Sequence, residues 1–228
     1  LEELRQALIK AFELIGTLDP DVVEATRRSL AISATSSSLA VVMAVPLGSL
    51  IHFNRFRGKR WLISVIQTLY SLPTVVVGLL VFVIFSRAGV LGDLGLIFTP
   101  AAIVIGEVVL IMPLMIGLVI SALSGVDKAI PETAISLGAG RLQIALITLR
   151  EARFAVLAAI IVGFGRAISE VGLALMVGGN IRGFTRTLTT AISLQTSRGD
   201  IELALALGIV LLIIALGINI ALNRMQQR

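Results

Sequence analysis

The chain has 228 residues, of which 57% are hydrophobic and only 14% charged, where soluble domains carry roughly 25%. With a mean hydropathy of +1.00, this composition excludes an ordinary water-soluble fold. The formal charge of +5 comes from basic residues scattered between apolar segments, without the aromatic interleaving that stacks bases, so no nucleic-acid partner is expected. Cysteine is absent and there is one histidine, which excludes disulfides, thiolate metal sites and cysteine nucleophiles and argues against a metal centre.

Glu2, Glu3 and Glu13 stand where a signal peptide needs a positive and then an uncharged region, so no signal peptide is expected. Residues 4–18 place Leu4, Leu8, Phe12 and Ile15 on one stripe with Arg5, Lys10 and Glu13 off it, which predicts a surface helix, the alternative being a sixth, poor span. Apolar runs near 29–51, 61–85, 100–123, 154–177 and 201–222 are each about the 20 residues a bilayer crossing requires. They are continuous and not alternating, which predicts helices and not a barrel. The predicted fold is therefore an all-α membrane protein, one transmembrane domain over 1–228 with about five membrane helices.

Arg55, Arg57, Lys59 and Arg60 crowd the short loop between the first two spans, which predicts that this loop is cytoplasmic. Alternating crossings then put the N-terminus outside and the tail, with Arg224 and Arg228, inside. Arg27 and Arg28, and Arg182, Arg186 and Arg198, run against that bias. Thr185, Thr187, Thr189 and Thr190 mark a segment too polar to span, with a short surface helix or a re-entrant segment expected near 187–195.

The loop at 124–153 is long for a connection between spans, and its content is helical. Pro131 suits a first helical position, Glu132 complements the helix dipole, and Gly138 or Gly140 suits a left-handed helix end. Leu142, Leu146 and Leu149, with Ala145, form an apolar face on a second helix. Spacing alone leaves two readings open, docking into a partner's groove or packing against the chain's own bundle.

Charges inside spans are expensive and face the bundle interior or a water-filled path. Arg166 and Glu170 lie four apart and share a helix face. Glu107 has no sequence-adjacent cation, and Pro73 and Pro113 are positioned to kink their helices. Gly106, Gly117, Gly163 and Gly172 permit close helix contact. An enzyme is not expected, since no metalloprotease or serine-hydrolase constellation is present, and no lysine stands in a phosphate-binding loop, so ATP hydrolysis would need another polypeptide.

Glu132-Thr133-Ala134, three further residues and Gly138 resemble the E-A-A-x-x-x-G motif of ATP-binding-cassette (ABC) importer permeases. The family's later I-x-L-P is here Ile147-Thr148-Leu149-Arg150, without the proline. Residues 72–78 in span two, Gly165-Arg166-Ala167-Ile168-Ser169-Glu170-Val171-Gly172 in span four and Gly178-Gly179-Asn180-Ile181 extend the resemblance to permeases of the molybdate and tungstate group, with 150–153 and 180–189 most similar to the tungstate branch.

The resemblance implies a type I importer permease in the inner membrane of a prokaryote, importing tungstate or molybdate by alternating access. Glu132, Thr133, Ala134, Gly138, Ala139, Gly140 and Arg141 would couple it to an ATPase. Arg166, Glu170, Pro73, Glu107 and Asn180 are the candidates for the translocation path or gate, with Arg182 and Arg186 as outer anion contacts and no tight anion site. The implied partners are a second copy of the chain, two cytoplasmic ABC ATPases carrying ATP and Mg, an external substrate-binding protein and membrane lipid. No cofactor is expected in this chain. The alternative is a channel or ion-coupled secondary carrier working without an ATPase, with Glu107 and Glu170 as proton sites.

Overall fold

The computed structural model describes residues 2–226, and side chains from Arg5 to Ile220 and at Arg224; Leu4 of the predicted stripe and Arg228 of the tail lie outside the described side chains. Among the described residues three helices are long and apolar enough to cross a bilayer, and counting each of two bent helix pairs as one span gives up to five crossings.

Helix α1 (Glu2–Gly16) buries Ala7 and Ala11 and exposes Leu8, Ile9 and Phe12, so its small residues face the protein and its large apolar ones face outward. It lies along α11 (Ile201–Gln226), where Lys10 and Glu202 form an ion pair at 2.7 Å that raises the pKa of Lys10. The two following residues close the helix, and Asp19 then caps α2 (Pro20–Phe53), its Oδ1 accepting from the Asp21 amide at 2.9 Å while Pro20 takes the first helical position. At 34 residues α2 is about 51 Å long, against a hydrocarbon core of roughly 30 Å. Its first turns, with Asp21, Glu24, Arg27 and Arg28, therefore stand outside the bilayer, which is why hydropathy places the start of the span near residue 29.

The buried face of α2 carries Ser29, Ser33, Ser36, Ala40, Ala44 and Gly48, spaced three or four apart. Small residues at this period let two backbones approach closely, which is how helices associate where lipid supplies no hydrophobic drive. The helix seated there is α5 (Pro100–Ser124): a Cβ on Gly48 would lie 2.8 Å from Val119 Cγ1.

The second span bends by 95° between α3 (Lys59–Thr68), with its following 3-10 turn, and α4 (Thr74–Phe85). Pro73 sits at that corner and opens α4. The fourth span bends by 58° between α8 (Arg153–Ile168) and α9 (Gly172–Gly178). The two corners touch: a Cβ on Gly172 would meet Val75 Cγ2 at 3.1 Å and Thr74 Oγ1 at 3.2 Å. Helix α10 (Leu188–Arg198) packs inward between α2 and α11, with Leu188 and Ala191 buried against Val22, Ala25 and Leu207.

Ser124 Oγ stands 3.3 Å from His52 Nδ1, so the ends of α2 and α5 meet and the 54–58 loop lies on the same face as the segment after α5. On the opposite face Arg28 donates to the Gly183 carbonyl at 2.6 Å and Arg182 pairs with Asp21 at 2.7 Å.

Candidate functional site

Two features stand out against this frame, a helical hairpin at the end that carries the 54–58 loop and an ion pair inside the fourth span. The hairpin consists of α6 (Ala129–Ser136) and α7 (Arg141–Glu151). Asp127 Oδ1 accepts from the Ala129 amide at 2.9 Å, so α6 starts at Ala129 and Pro131 is its third residue, not its first. The proline still costs nothing there, because the first four amides of a helix have no partner within it. Gly138 ends α6 at φ +79°, with its amide on Ile135 O and the Ala139 amide on Ala134 O, both at 2.9 Å. This is a Schellman closure, which a Cβ at Gly138 would strain.

Gly140 is extended at φ −72° and caps α7, its amide donating to Gln143 Oε1 at 2.8 Å. Helix α7 runs on to Glu151, and Ala152 turns it into α8 without the proline of the related motif. Ala134 is buried, whereas Glu132, Thr133 and Arg141 are exposed.

The apolar face predicted for α7 divides. Leu149 packs inward with Val119, Leu123, Ala152 and Val156. Leu146 and Ile147 instead remain 56% and 42% exposed beside Leu137, which is 83% exposed. Together with Ala134, Gly138 and Ala139 they border a depression of about 580 Å³ at the hinge. Fully covering a leucine contributes roughly 1.5–3 kcal/mol, so this surface gains substantially from an apolar partner. Leu137 was not singled out in the sequence, although a large apolar residue just before a helix-ending glycine is a usable signal.

In the fourth span Arg166 donates to Glu170 Oε2 at 3.0 Å, and the two side chains are 35% and 2% exposed. Glu170 also repairs the helix break. Its Oε1 accepts from the Leu173 amide at 3.0 Å, and its carbonyl receives the Thr189 hydroxyl at 2.6 Å. Ser169 and Gly165 are exposed beside Arg166, and a Cβ on Gly165 would meet nothing within 4 Å. The pair is thus a fully buried acid with a structural task and an arginine that faces open space.

The remaining predicted residues separate from that pair. Pro73 lies near it through the touching corners. Glu107 is buried between α2 and α5, where the Ser36 hydroxyl donates to its Oε2 at 2.5 Å, a cross-helix partner invisible in sequence spacing. Asn180 adopts φ +50° beyond α9, with Nδ2 on Thr190 O at 3.2 Å. Arg182 is engaged by Asp21, so the loop after α9 uses it as a clip. Thr185 and Thr187, the first accepting the Ile181 amide at 2.9 Å and the second capping α10, give that loop its fixed shape.

A hinged hairpin with an uncovered apolar rim thus hangs between spans three and four of a bundle with two broken helices. The family model for the binding-protein-dependent transport system inner membrane component matches residues 44–228. The chain belongs to this family. Like other inner-membrane components of binding-protein-dependent transport systems, it is a multi-pass permease subunit of an ABC importer, with ATP hydrolysis carried by a separate subunit.

The chain is 37% identical over 227 residues, all of both chains, to the tungstate uptake system permease protein TupB of Peptoclostridium acidaminophilum. It is 32% identical over 187 residues, 76% of this chain and 82% of the other, to the molybdenum transport system permease protein ModB of Escherichia coli K12. Its fold matches a chain in the crystal structure of a bacterial alginate ABC transporter with a TM-score of 0.77 at 21% identity, covering 100% of this chain and 88% of that one.

Proposed function

We propose that this permease carries tungstate, with molybdate as the nearest competitor, and that it works as a homodimer with two cytoplasmic ATPases and one external binding protein. The observation that carries the coupling half of this reading is the Schellman-closed hinge at Gly138, with Leu137, Leu146 and Ile147 uncovered around it. Glu132, Thr133, Ala134, Gly138, Ala139, Gly140 and Arg141 form the ATPase-docking hairpin. ATP and Mg bind on the partner, whose closure pushes the hairpin and, through Ala152, the lower half of the fourth span.

Full-length likeness to a tungstate permease supports the choice of tungstate. Within the chain, Arg166 suits a doubly charged oxyanion, since its guanidinium is paired with Glu170 on one side and 35% exposed. An exposed guanidinium in a span is costly against lipid, so this face borders an aqueous path that two copies enclose. Glu170 and Pro73 shape the corners that flank the path. Glu107 and Asn180 hold helices together on its far sides. The basic 54–60 loop and the hairpin face the cytoplasm, the N-terminus and the 179–187 loop face outward, and the C-terminus lies inside.

The test is uptake of labelled tungstate and molybdate into proteoliposomes holding this chain, its ATPase and its binding protein. Uptake of tungstate that requires ATP and outcompetes molybdate is expected. Uptake without the ATPase would establish a carrier or channel, and equal uptake of sulfate would overturn the substrate assignment.

A further inference from the structure

We propose a binding site for an anionic phospholipid between the cytoplasmic end of α2 and the N-terminal half of α7, with its headgroup phosphate between Arg55 and Arg141. The cleft there measures about 700 Å³. Its α2 wall is Pro46, Leu50 and Phe53, the last turns of an apolar span, and its α7 wall is Ile144 and Ala145. From Pro46 to Phe53 is about 10 Å along a helix, the depth of the boundary between acyl chains and headgroups.

The mouth of the cleft carries Arg55 and Arg141 and no acidic residue. A second depression of about 500 Å³, sharing Arg55 and adding Lys59 and Arg60, adjoins it and is likewise free of carboxylates. Arg141 opens α7, so its charge adds to the positive end of that helix instead of opposing it, and an anion there is favoured twice. Inside the cleft Ser49 Oγ is buried without a hydrogen-bond partner, while Leu50 and Leu142 on the rim are 61% and 74% exposed.

An apolar slot at interface depth, closed by two arginines and holding an unsatisfied hydroxyl, matches one occupant in shape and charge. Acyl chains run along α2 and the phosphate sits at the mouth. Basic pockets between membrane helices on the cytoplasmic side take anionic headgroups for this reason. The assignment rests on the proposed orientation, with the 54–60 loop cytoplasmic, and does not depend on which anion is transported. It gives α7 a second role, resting one face on lipid while the hinge face meets the ATPase.

The full chain is purified in mild detergent with equimolar phosphatidylglycerol and phosphatidylcholine, and the retained lipids are counted by native mass spectrometry. Preferential retention of phosphatidylglycerol is expected. Arg55→Gln should lower that preference about fivefold, the change that ~1 kcal/mol per basic side chain at an anionic surface produces. Arg55→Lys should keep most of it, and Arg198→Gln, which removes the same charge from the other face, should keep all of it. Equal retention of both lipids, or equal losses in Arg55→Gln and Arg198→Gln, would overturn the site. Displacement of the lipid by millimolar inorganic phosphate would make it a free-anion site, and displacement by the ATPase subunit would make it part of the docking surface; either result overturns the lipid assignment.

Discussion

A carboxylate 2% exposed inside a span is tolerable only while its partners hold, and that of Glu170 has two, Arg166 and the Leu173 amide. Arg166→Gln removes the one cation and should cost about 3 kcal/mol, because it leaves a buried charge uncompensated. Adding Glu170→Gln neutralises that charge while its side-chain oxygen can still accept from Leu173, so the double variant should recover most of the thermal stability in detergent. Oxyanion uptake should stay low in both, since the guanidinium is gone. A double variant no more stable than Arg166→Gln would show that the pair does not act as a charge-compensating unit. The spacing of four made the pair legible in the sequence. The capping role was not, because it depends on where the helix breaks, and no proline marks the interval between Ile168 and Gly172.

Hinge and packing act at the scale of the helix, where the glycines divide into separable kinds. Gly138 has open space around its Cβ position but a left-handed backbone, so Gly138→Ala should cost about 1–2 kcal/mol of local conformational energy and weaken retention of the ATPase on co-purification. Gly140 has an extended backbone and caps α7, so Gly140→Ser should be neutral or slightly stabilising and leave the complex intact. If both variants lose the partner equally, the left-handed turn is not the determinant. Gly117 is governed by contact instead. A Cβ there would overlap the Tyr70 hydroxyl, and Gly117→Ala should lower stability by about 1–3 kcal/mol, with Tyr70→Ala relieving part of that loss in a thermal melt. The four glycines named from sequence all lie at close helix contacts. The serine and alanine face of α2 was equally readable at its three-to-four-residue period, as was the Asp19-Pro20 helix start, but an apolar-run criterion passes over both because hydroxyls and charges lower local hydropathy.

For the whole molecule, the hydrogen bond between His52 and Ser124 and the contacts of Arg28 and Arg182 group the connections into two faces, but geometry alone does not say which face is cytoplasmic. The proposed orientation rests on charge, with four basic residues in the 54–60 stretch, while Arg27, Arg28, Arg182, Arg186 and Arg198 run against it. Three of these five are tied into the fold, Arg28 to Glu24 and the Gly183 carbonyl, Arg182 to Asp21 and Arg186 to the Asn180 carbonyl, so these three charges have structural partners and weigh less as topology signals. The chain has no cysteine, so single substitutions report without background. Ser136→Cys on the hairpin and Ser197→Cys at the end of α10 are both exposed and on opposite faces. In sealed right-side-out vesicles an impermeant maleimide should label the cysteine at position 197 and spare the one at 136 until the membrane is opened. The reverse pattern would place the hairpin outside, where no ATP is available. The coupling role would then fall, while the fold and the internal packing of α2 against α5 would stand unchanged.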